Sequence, residues 1–382
     1  MINYGKHYID KSDLLSVLKT LKNGNLTQGN QIFKFESSLN KYFGSKYACV
    51  LSNATAGLYL LSELLNWKKN DVIFLSPLTF LAGANSVARS GAKPFFIDID
   101  LKNYNMDLNI LEMSLKKNAN NAKAIIATDY SGIPCDWRSL RYLANKYKCS
   151  LINDNCHAMG TKYYGNTKYA IRYADFVVQS YHAVKNFTTG EGGSVLLNNK
   201  EIHKQLAMLR THGIYKTDHR KNKKQWLYDI ERIGYNFRLT DIQASLGISQ
   251  IKKLNKFVNK RLKIAKVYDE FFLKFQDFHV PFKNKHFQSS YHLYPLLINF
   301  KRLNKKKEDL FTYLKKSKIN LQVHYIPTYR FKFYKKKYDY NFKSFPNTEF
   351  FYKNALSLPI YFDLKIKDQK KILKNIKNFF GI

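Results

Sequence analysis

The sequence of 382 residues is poor in cysteine, and its four cysteines are far apart. Cys49, Cys135, Cys149 and Cys156 form no C-x-x-C pair, the spacing that is typical of structural zinc sites. Disulfide frameworks occur mainly in short secreted chains that are dense in cysteine. The scarcity of cysteine therefore argues against both kinds of site, and we expect no metal.

Long apolar runs are also missing. The amino-terminal segment M-I-N-Y-G-K-H-Y-I-D is polar, so it lacks the apolar core of a secretory signal peptide. No apolar run reaches the length of about 20 residues that a membrane-spanning helix needs. The sequence also has no internal repeat and no low-complexity linker. These absences favour a cytoplasmic protein without a membrane partner.

Acidic residues are scarce, because 28 Asp and Glu stand against 64 Lys and Arg and leave a net charge of +36. Such a balance raises nucleic acid as a partner. No helix-turn-helix, zinc-finger or aromatic RNA-binding signature accompanies the charge, so we expect no nucleic acid. Many lysines stand beside asparagine and tyrosine, as at Lys335 to Lys337, a pattern that favours solvated faces. A positive field still favours an anionic small substrate such as a nucleotide diphosphate.

The chain contains enough apolar material for a large core. Hydrophobic residues make up 45% and aromatic residues 15%, which is typical of a globular protein. The length exceeds that of a usual single domain. We therefore expect a large domain over residues 1–245 and a smaller α+β domain over residues 246–382, reached by a long linking helix between Thr240 and about Gln276.

Short apolar runs alternate with amphipathic stretches between Lys46 and about Asn199. The runs that we interpret as strands are Y-A-C-V-L-S, D-V-I-F-L-S-P, K-P-F-F-I-D-I, A-K-A-I-I-A-T-D, S-L-I-N-D, D-F-V-V-Q-S and G-S-V-L-L-N. Alternation of strands with helices implies parallel strands joined by crossovers. The predicted fold class is α/β, with a mainly parallel seven-stranded sheet and helices on both faces.

Polar and aromatic residues repeatedly follow the ends of these predicted strands. Ser52 to Thr55 follow the first strand, Thr79 and Phe80 the second, Asp154 to His157 the fifth, and Ser180 the sixth. Ligands of such sheets bind beyond the carboxyl ends of the strands. We therefore expect these residues to converge on one site.

One lysine in this region has the surroundings that a Schiff base with an aldehyde requires. Lys185 follows the sixth strand within S-Y-H-A-V-K-N-F-T-T-G-E-G-G. An amine must be partly desolvated to react with an aldehyde at neutral pH, and the end of a buried strand provides such a place. A solvated lysine explains Lys185 taken alone. Together with the residues below, it predicts a pyridoxal phosphate site.

Asp154 ends the fifth strand, 185 − 154 = 31 residues before Lys185, which fits two neighbouring strands with their connection. A carboxylate there can keep the pyridine nitrogen of the cofactor protonated, which makes the ring an electron sink. A helix N-cap is the alternative interpretation of Asp154. His157 is predicted to pack on the ring or to hydrogen-bond the cofactor oxygen, with an ordinary core or surface histidine as the alternative.

The segment S-N-A-T-A-G opens a predicted helix, whose free N–H groups and dipole attract a phosphate. Thr55 and Ala56 are predicted phosphate ligands, with the Ser180 hydroxyl as a third. Ordinary capping by Asn53 or Thr55 explains the same letters. Phe80 is predicted to stack on the pyridine ring, although an aromatic residue in an apolar stretch is more often part of the core.

Several motifs together resemble one known family. They are S-Y-H-A-V-K-N-F-T-T-G-E-G-G, D-N-C-H-A-M-G, R-T-H-G-I and G-Y-N-F-R-L-T-D-I-Q-A-S-L-G. The sequence is similar in them to the fold-type I aminotransferases that act on nucleotide-linked keto sugars. The similarity extends from L-T-Q-G near the amino terminus to L-S-L-P near the end. Two further segments, S-S-Y-H-L-Y-P-L and Q-V-H-Y-I-P-T-Y, resemble the branch of the family that works in pseudaminic acid biosynthesis.

This resemblance implies the fold of the type I pyridoxal-phosphate-dependent transferases and a role for each matching residue. Lys185 would bind pyridoxal phosphate covalently and carry protons, and Asp154 would pair with the pyridine nitrogen. Phe80 and His157 would flank the ring. Relatives that dehydrate sugars have histidine in place of the lysine, so Lys185 favours transamination.

The resemblance also implies a homodimer. Thr55, Ala56 and Ser180 would hold the cofactor phosphate, and Asn236 with Arg238 would reach in from the second subunit. The sequence departs from the family pattern near these motifs: Asn155 and Cys156 stand where a small residue is usual, and Ala54 replaces a glycine. Neither departure removes a functional group.

By the same resemblance, the amino donor is glutamate, and the cofactor alternates between pyridoxal and pyridoxamine phosphate. The acceptor would be the C4 carbonyl of a UDP-linked 4-keto-6-deoxy-N-acetylhexosamine. Two alternatives remain open from the sequence. The first is another nucleotide-linked keto sugar, aminated at C3 or carrying dTDP or GDP, and the second is a non-catalytic basic binding protein on the same fold.

Overall fold

A computed structural model of the chain describes residues 1–216 and 226–382. The α-helices of these residues are α1 (Lys11–Asn23), α2 (Asn30–Phe43), α3 (Ala54–Leu64), α4 (Ala82–Ser90), α5 (Leu108–Lys117), α6 (Trp137–Lys146), α7 (Tyr169–Tyr173), α8 (Lys200–Leu209), α9 (Asp241–Ile251), α10 (Leu254–Phe272), α11 (Lys307–Lys316), α12 (Lys332–Tyr338), α13 (Pro346–Asn354) and α14 (Ile366–Phe380). Short 3-10 helices span Tyr130–Gly132, Thr328–Arg330 and Phe342–Ser344.

The strands of the same residues are β1 (Tyr47–Leu51), β2 (Val72–Leu75), β3 (Lys93–Phe96), β4 (Ala122–Thr128), β5 (Ser150–Asp154), β6 (Lys162–Tyr163), β7 (Phe176–Ser180), β8 (Gly193–Leu197), β9 (Ile214–Lys216), β10 (Tyr228–Ile230), β11 (Phe278–His279), β12 (Phe287–Gln288), β13 (Tyr294–Ile298) and β14 (Ala355–Leu358). Within the described ranges, none of the helices combines the length and the apolar composition that crossing a bilayer requires.

The main sheet has seven strands in the described part of the chain, in the order β1-β8-β7-β5-β4-β2-β3. β7, β5, β4, β2 and β3 run parallel to one another. β8 runs antiparallel to both β1 and β7. Every run of the sequence that we interpret as a strand of this sheet is present, so the prediction of a mainly parallel α/β sheet is confirmed.

Both faces of the sheet are buried, because alternate residues of each strand enter different cores. Val50, Phe74 and Ile125 belong to one apolar cluster, which helices α2, α5 and α6 cover. Their sequence neighbours Leu51 and Ile73 belong to a second cluster beneath α3, α4 and α8. A strand buried on both faces is a continuous apolar run, which is how these strands appear in the sequence.

The carboxyl-terminal part of the chain has a core of its own. β11, β13 and β14 form an antiparallel sheet, and α10, α11 and α14 pack with it around an apolar cluster. The first residues of the chain join this part, since the N–H of Ile2 donates to the Lys318 carbonyl and the N–H of Ile360 donates to the Tyr4 carbonyl. The amino-terminal segment, which we predict to belong to the large domain, therefore contacts the carboxyl-terminal part of the chain.

The prediction of one long linking helix is wrong. The region from Thr240 holds two helices, α9, which begins at a capping box formed by Thr240 and Gln243, and α10, which begins at Leu254. α9 packs against α1 and α2, whereas α10 packs against α14. The break allows each helix to align with its own layer. The predicted boundary between residues 245 and 246 falls inside α9, and the division into two domains stays a prediction.

Candidate active site

The strand ends bring the predicted residues together at one edge of the sheet. Asp154 is the last residue of β5, where it lies opposite Thr128 of β4 and Val178 of β7. Ser180 ends β7. Lys185 follows in the connection from β7 to β8, within a turn that its own N–H closes by donating to the His182 carbonyl at 2.9 Å.

The side chain of Lys185 lies in a partly buried position next to Asp154 and Cys156. Burial lowers the pKa of the Lys185 amine, and the nearby Cys156 and Asp154 only partly oppose that shift. Burial disfavours the charged form of an amine because the surrounding protein solvates it less well than water. Lys185 therefore loses its proton more easily than a surface lysine, as a nucleophilic amine must.

Asp154 is a buried carboxylate, with 8% of its surface exposed. Its Oδ1 accepts the N–H of Cys156 at 3.2 Å, and its Oδ2 lies 3.5 Å from the Thr128 hydroxyl, which is a long contact. In the described ranges, no basic side chain forms an ion pair with it. The carboxylate thus retains capacity for a cationic partner.

A second buried carboxylate, that of Asp129, holds the residue that follows Asp154. Asp129 accepts hydrogen bonds from the indole of Trp137 at 2.9 Å and from the hydroxyl of Tyr169 at 2.6 Å. It also accepts the side-chain N–H of Asn155 at 3.3 Å, and Asn155 directly follows Asp154. Sequence reasoning missed Asp129, because these three donors come from segments that are far apart in the sequence.

His157 is buried, and both of its ring nitrogens are engaged. Nδ1 accepts the N–H of Ser131 at 3.3 Å, and Nε2 lies 2.8 Å from the hydroxyl oxygen of Tyr325. Burial lowers the pKa of His157, and the nearby charge of Lys185 lowers it further, so the imidazole is neutral. Of the two predicted roles, packing on a ring is compatible with these hydrogen bonds, whereas bonding to the cofactor oxygen requires one of them to break.

Phe80 lies beside the same cluster, with 60% of its surface exposed. Its ring centroid is 6.1 Å from that of Tyr325, at an interplanar angle of 59°. The exposed face distinguishes Phe80 from an ordinary core residue and leaves it available to a ligand ring. The core alternative is therefore less favoured than the stacking role.

The start of α3 lies directly beside Ser180. Gly193 pairs with Ser180 across β7 and β8, and a Cβ on Gly193 would lie only 2.4 Å from the amide nitrogen of Ala54. The helix start and the Ser180 hydroxyl therefore share one location. The N–H of Ala56, which we predict to bind phosphate, donates to the Asn53 side chain at 2.8 Å. A phosphate would have to displace this cap in order to use that N–H.

Asn236 and Arg238 lie on the segment that precedes α9. Asn236 is exposed, and Arg238 lines a surface cavity of about 200 Å³ together with Gln28 and Phe33. The intervening residue, Phe237, accepts the N–H of Ser52 at 2.8 Å. The segment thus runs past the phosphate end of the site, while the reach of its side chains into a second subunit stays a prediction.

These residues fit pyridoxal phosphate. The site offers a partly buried amine on Lys185, a buried carboxylate on Asp154 that forms no ion pair among the described residues, and an exposed aromatic ring on Phe80. A helix start beside a serine hydroxyl suits the phosphate. Sequence reasoning missed Tyr325, His292 and His324 as neighbours of this cluster, because they come from the carboxyl-terminal part of the chain and follow no strand of the main sheet.

Comparison with known proteins gives consistent matches along the chain. Residues 7–377 match the DegT/DnrJ/EryC1/StrS aminotransferase family. A UDP-4-amino-4,6-dideoxy-N-acetyl-beta-L-altrosamine transaminase from Campylobacter jejuni is 40% identical over 370 residues, which cover 97% of this chain and 95% of that protein.

Solved structures agree with this match. PseC from Helicobacter pylori, an aminotransferase involved in the biosynthesis of pseudoaminic acid, superimposes with a TM-score of 0.91 and 32% identity, over 100% of this chain and 99% of that chain. Spr1654 from Streptococcus pneumoniae, described as a sugar aminotransferase and solved with pyridoxamine phosphate, superimposes with a TM-score of 0.92 and 27% identity, over 100% of this chain and 99% of that chain.

Proposed function

Because this chain belongs to the DegT/DnrJ/EryC1/StrS family of pyridoxal-phosphate-dependent sugar aminotransferases, we propose that it moves an amino group from glutamate to the C4 carbonyl of a UDP-linked 4-keto-6-deoxy-N-acetylhexosamine. The substrate follows from the relative in Campylobacter jejuni, whose similarity extends over 97% of this chain. The product would serve pseudaminic acid synthesis or a related surface glycan.

The observation that carries the chemistry is the meeting of Lys185 and Asp154 at the strand ends. When bound, pyridoxal phosphate would supply a protonated ring that stabilises negative charge on the carbon bearing the amino group. Asp154 would keep the ring nitrogen protonated. Nζ of Lys185 would hold the cofactor and, when free, move a proton over a short distance along one face.

The lowered pKa of Lys185 supports this role in proton transfer. A base must lose its proton near the working pH before it can accept another. The neighbouring carboxylate of Asp154 limits the shift, so the amine can still become charged when it takes up a proton. Phe80 and His157 would flank the ring, and Thr55, Ala56 and Ser180 would hold the phosphate.

We also propose a homodimer. It is supported by α1, whose polar residues face the protein interior and whose leucines face outward. Its inward face is polar: Asp13 is fully buried and pairs with Lys253 at 2.7 Å. Its outward face carries four leucines that are 45% to 63% exposed: Leu14, Leu15, Leu18 and Leu21. Monomeric proteins rarely expose such a contiguous apolar stripe.

A second copy of the chain is the partner that fits this face. α1 packs on α9 through the hydroxyl of Ser16, which donates to the Ser245 carbonyl at 2.8 Å. The segment that carries Asn236 and Arg238 leads directly into α9. An interface over α1 would therefore extend toward the residues that we predict to reach the partner's site. The enzyme would work in the cytoplasm, since Cys49, Cys135, Cys149 and Cys156 are all free thiols.

The test begins with the purified protein and pyridoxal phosphate. We expect visible absorbance that borohydride bleaches, with the cofactor left attached to Lys185 in the peptide map. The loaded protein is then incubated with glutamate and one of three acceptors: a UDP-linked 4-keto sugar, a UDP-linked 3-keto sugar, or a dTDP-linked 4-keto sugar.

Amination of the UDP-linked 4-keto sugar by the wild type, and none by the Lys185→Ala variant, is the expected result. Preference for a 3-keto or dTDP-linked acceptor would contradict the proposed substrate but not the proposed chemistry. Full turnover by Lys185→Ala would contradict the role of Lys185. A circular dichroism spectrum like that of the wild type is the control for folding of the variant.

A further inference from the structure

The hydrogen bonds of His157 define which of its nitrogens carries the proton. A backbone N–H can only donate, so the Nδ1 atom that receives the Ser131 N–H must be unprotonated. The imidazole is neutral, because burial and the charge of Lys185 lower its pKa. Its single proton is therefore on Nε2, which points at the Tyr325 oxygen at 2.8 Å. Nε2 donates, and the Tyr325 hydroxyl accepts.

Tyr325 stands between the two groups that we predict to flank the cofactor ring. Its ring lies 5.8 Å from His157, at an interplanar angle of 24°, and 6.1 Å from Phe80. Because its oxygen accepts from His157, its own O–H proton points elsewhere. Asp154 and Cys156 lie close enough to act on the Tyr325 hydroxyl electrostatically, so the hydroxyl belongs to the same cluster as the predicted catalytic acid.

The segment that carries Tyr325 is fixed to the main sheet on either side. The hydroxyl of Tyr130 donates to the His324 carbonyl. The N–H of Thr328 donates to the Pro77 carbonyl at 3.0 Å. Tyr325 is therefore held at a defined height above the strand ends, although it belongs to the carboxyl-terminal part of the chain. On another side of the imidazole, the ring of His292 lies 4.5 Å from that of His157.

We propose that Tyr325 is a positioning residue of the active site, whose hydroxyl fixes the tautomer and the ring orientation of His157. Its importance for a bound cofactor rests on the proposed function, whereas the tautomer itself does not. Without the hydroxyl, Nε2 loses its acceptor, and the imidazole can rotate or move its proton to Nδ1. His157 would then present more than one ring orientation or tautomer to a ligand ring.

The test uses the full-length protein with ¹⁵N-labelled histidine, both free of cofactor and loaded with pyridoxal phosphate. The chain has 10 histidines, and a His157→Gln spectrum identifies the signals of His157. In the cofactor-free wild type we expect a protonated Nε2 and an unprotonated Nδ1 from about pH 6 to about pH 8. A protonated Nδ1 in the wild type would overturn the proposal without any variant at Tyr325.

The Tyr325→Phe variant removes only the hydroxyl. We expect its His157 signals to show a mixture of tautomers, and the dissociation constant of pyridoxal phosphate to rise about fivefold, as for the loss of one hydrogen bond. The matched control is Tyr42→Phe, which removes a hydroxyl that donates to Asn255 at 2.6 Å away from the site. It should leave both readouts unchanged.

Unchanged His157 signals in Tyr325→Phe would overturn the proposal. Failure of the proposed function is a separate result, because a protein that binds no pyridoxal phosphate still reports the tautomer of His157 in its cofactor-free state. A mixture of tautomers in Tyr325→Phe, without a change in cofactor affinity, would support the positioning of His157 and reject its importance for the cofactor.

Discussion

Gly193 offers a sharp test of how the phosphate end of the site is built. It begins β8, pairs with Ser180 and touches the start of α3. A Cβ at this position would lie 2.4 Å from the amide nitrogen of Ala54 and 2.4 Å from the carbonyl carbon of Asn53. Both atoms belong to the backbone, so a change of side-chain rotamer cannot relieve the contact. We expect Gly193→Ala to push the start of α3 away from β7.

Two magnitudes follow from this displacement. Overpacking of a tightly packed position costs about 1–3 kcal/mol of stability. A hydrogen bond to a charged group contributes about 1.5–3 kcal/mol, so losing one from the phosphate would raise the dissociation constant about ten- to hundredfold. Gly193→Ala should therefore melt at a lower temperature and bind pyridoxal phosphate more weakly.

The assay combines thermal unfolding of the cofactor-free protein with a spectroscopic titration of pyridoxal phosphate. Gly83→Ala is the matched control, because the nearest atom to its new Cβ is Leu75 Cδ1 at 3.7 Å, an ordinary contact. Gly83 lies inside α4, where alanine is favoured over glycine by up to about 1 kcal/mol. Wild-type melting and affinity in Gly193→Ala would refute the reasoning.

Three further predictions address the interface, the cofactor ring and pH. Leu18→Glu places a charge on the exposed leucine face of α1 and should convert a dimer to monomers in light scattering. Met113→Glu, at an exposed site on α5, is the control and should leave the dimer intact. A dimeric Leu18→Glu variant would exclude α1 from the interface. Asp154→Asn should shift the absorbance of bound cofactor and slow turnover at least about tenfold, and unchanged spectra and rates would reject its role. Burial raises the pKa of Asp129 to about 6, so its contribution to stability is full below about pH 4 and is lost as the pH rises to about 6. Relative to Asp129→Asn, the wild type should lose up to about 3 kcal/mol over that window in urea unfolding, and a difference that is independent of pH would contradict this.

The predicted catalytic pair was accessible from the sequence because of a general property of parallel sheets. A strand buried on both faces is a continuous apolar run, so its carboxyl end is visible in the letters. Asp154 and Lys185 both follow such ends, and neighbouring parallel strands bring their ends to one edge. The strands themselves were predicted for the same reason.

The linking region shows the limit of that reasoning. Helical periodicity continues across Lys252, so the pattern predicted one helix where the chain forms α9 and α10. The break depends on the different layers that the two helices contact. Periodicity likewise marks the leucines of α1 as one face of a helix, but it does not reveal that Asp13 and Thr20 occupy the inner face instead.

The sequence by itself determined the strands, the position of Lys185 beyond one of them and the acid at the end of its neighbour, because all three are properties of local runs of residues. Only the tertiary structure decided what surrounds them. The contact of His157 with Tyr325 joins residues 168 positions apart, and the support of Asn155 by Asp129 crosses 26 positions. Such contacts depend on how separate segments pack against one another, which no single run of letters encodes.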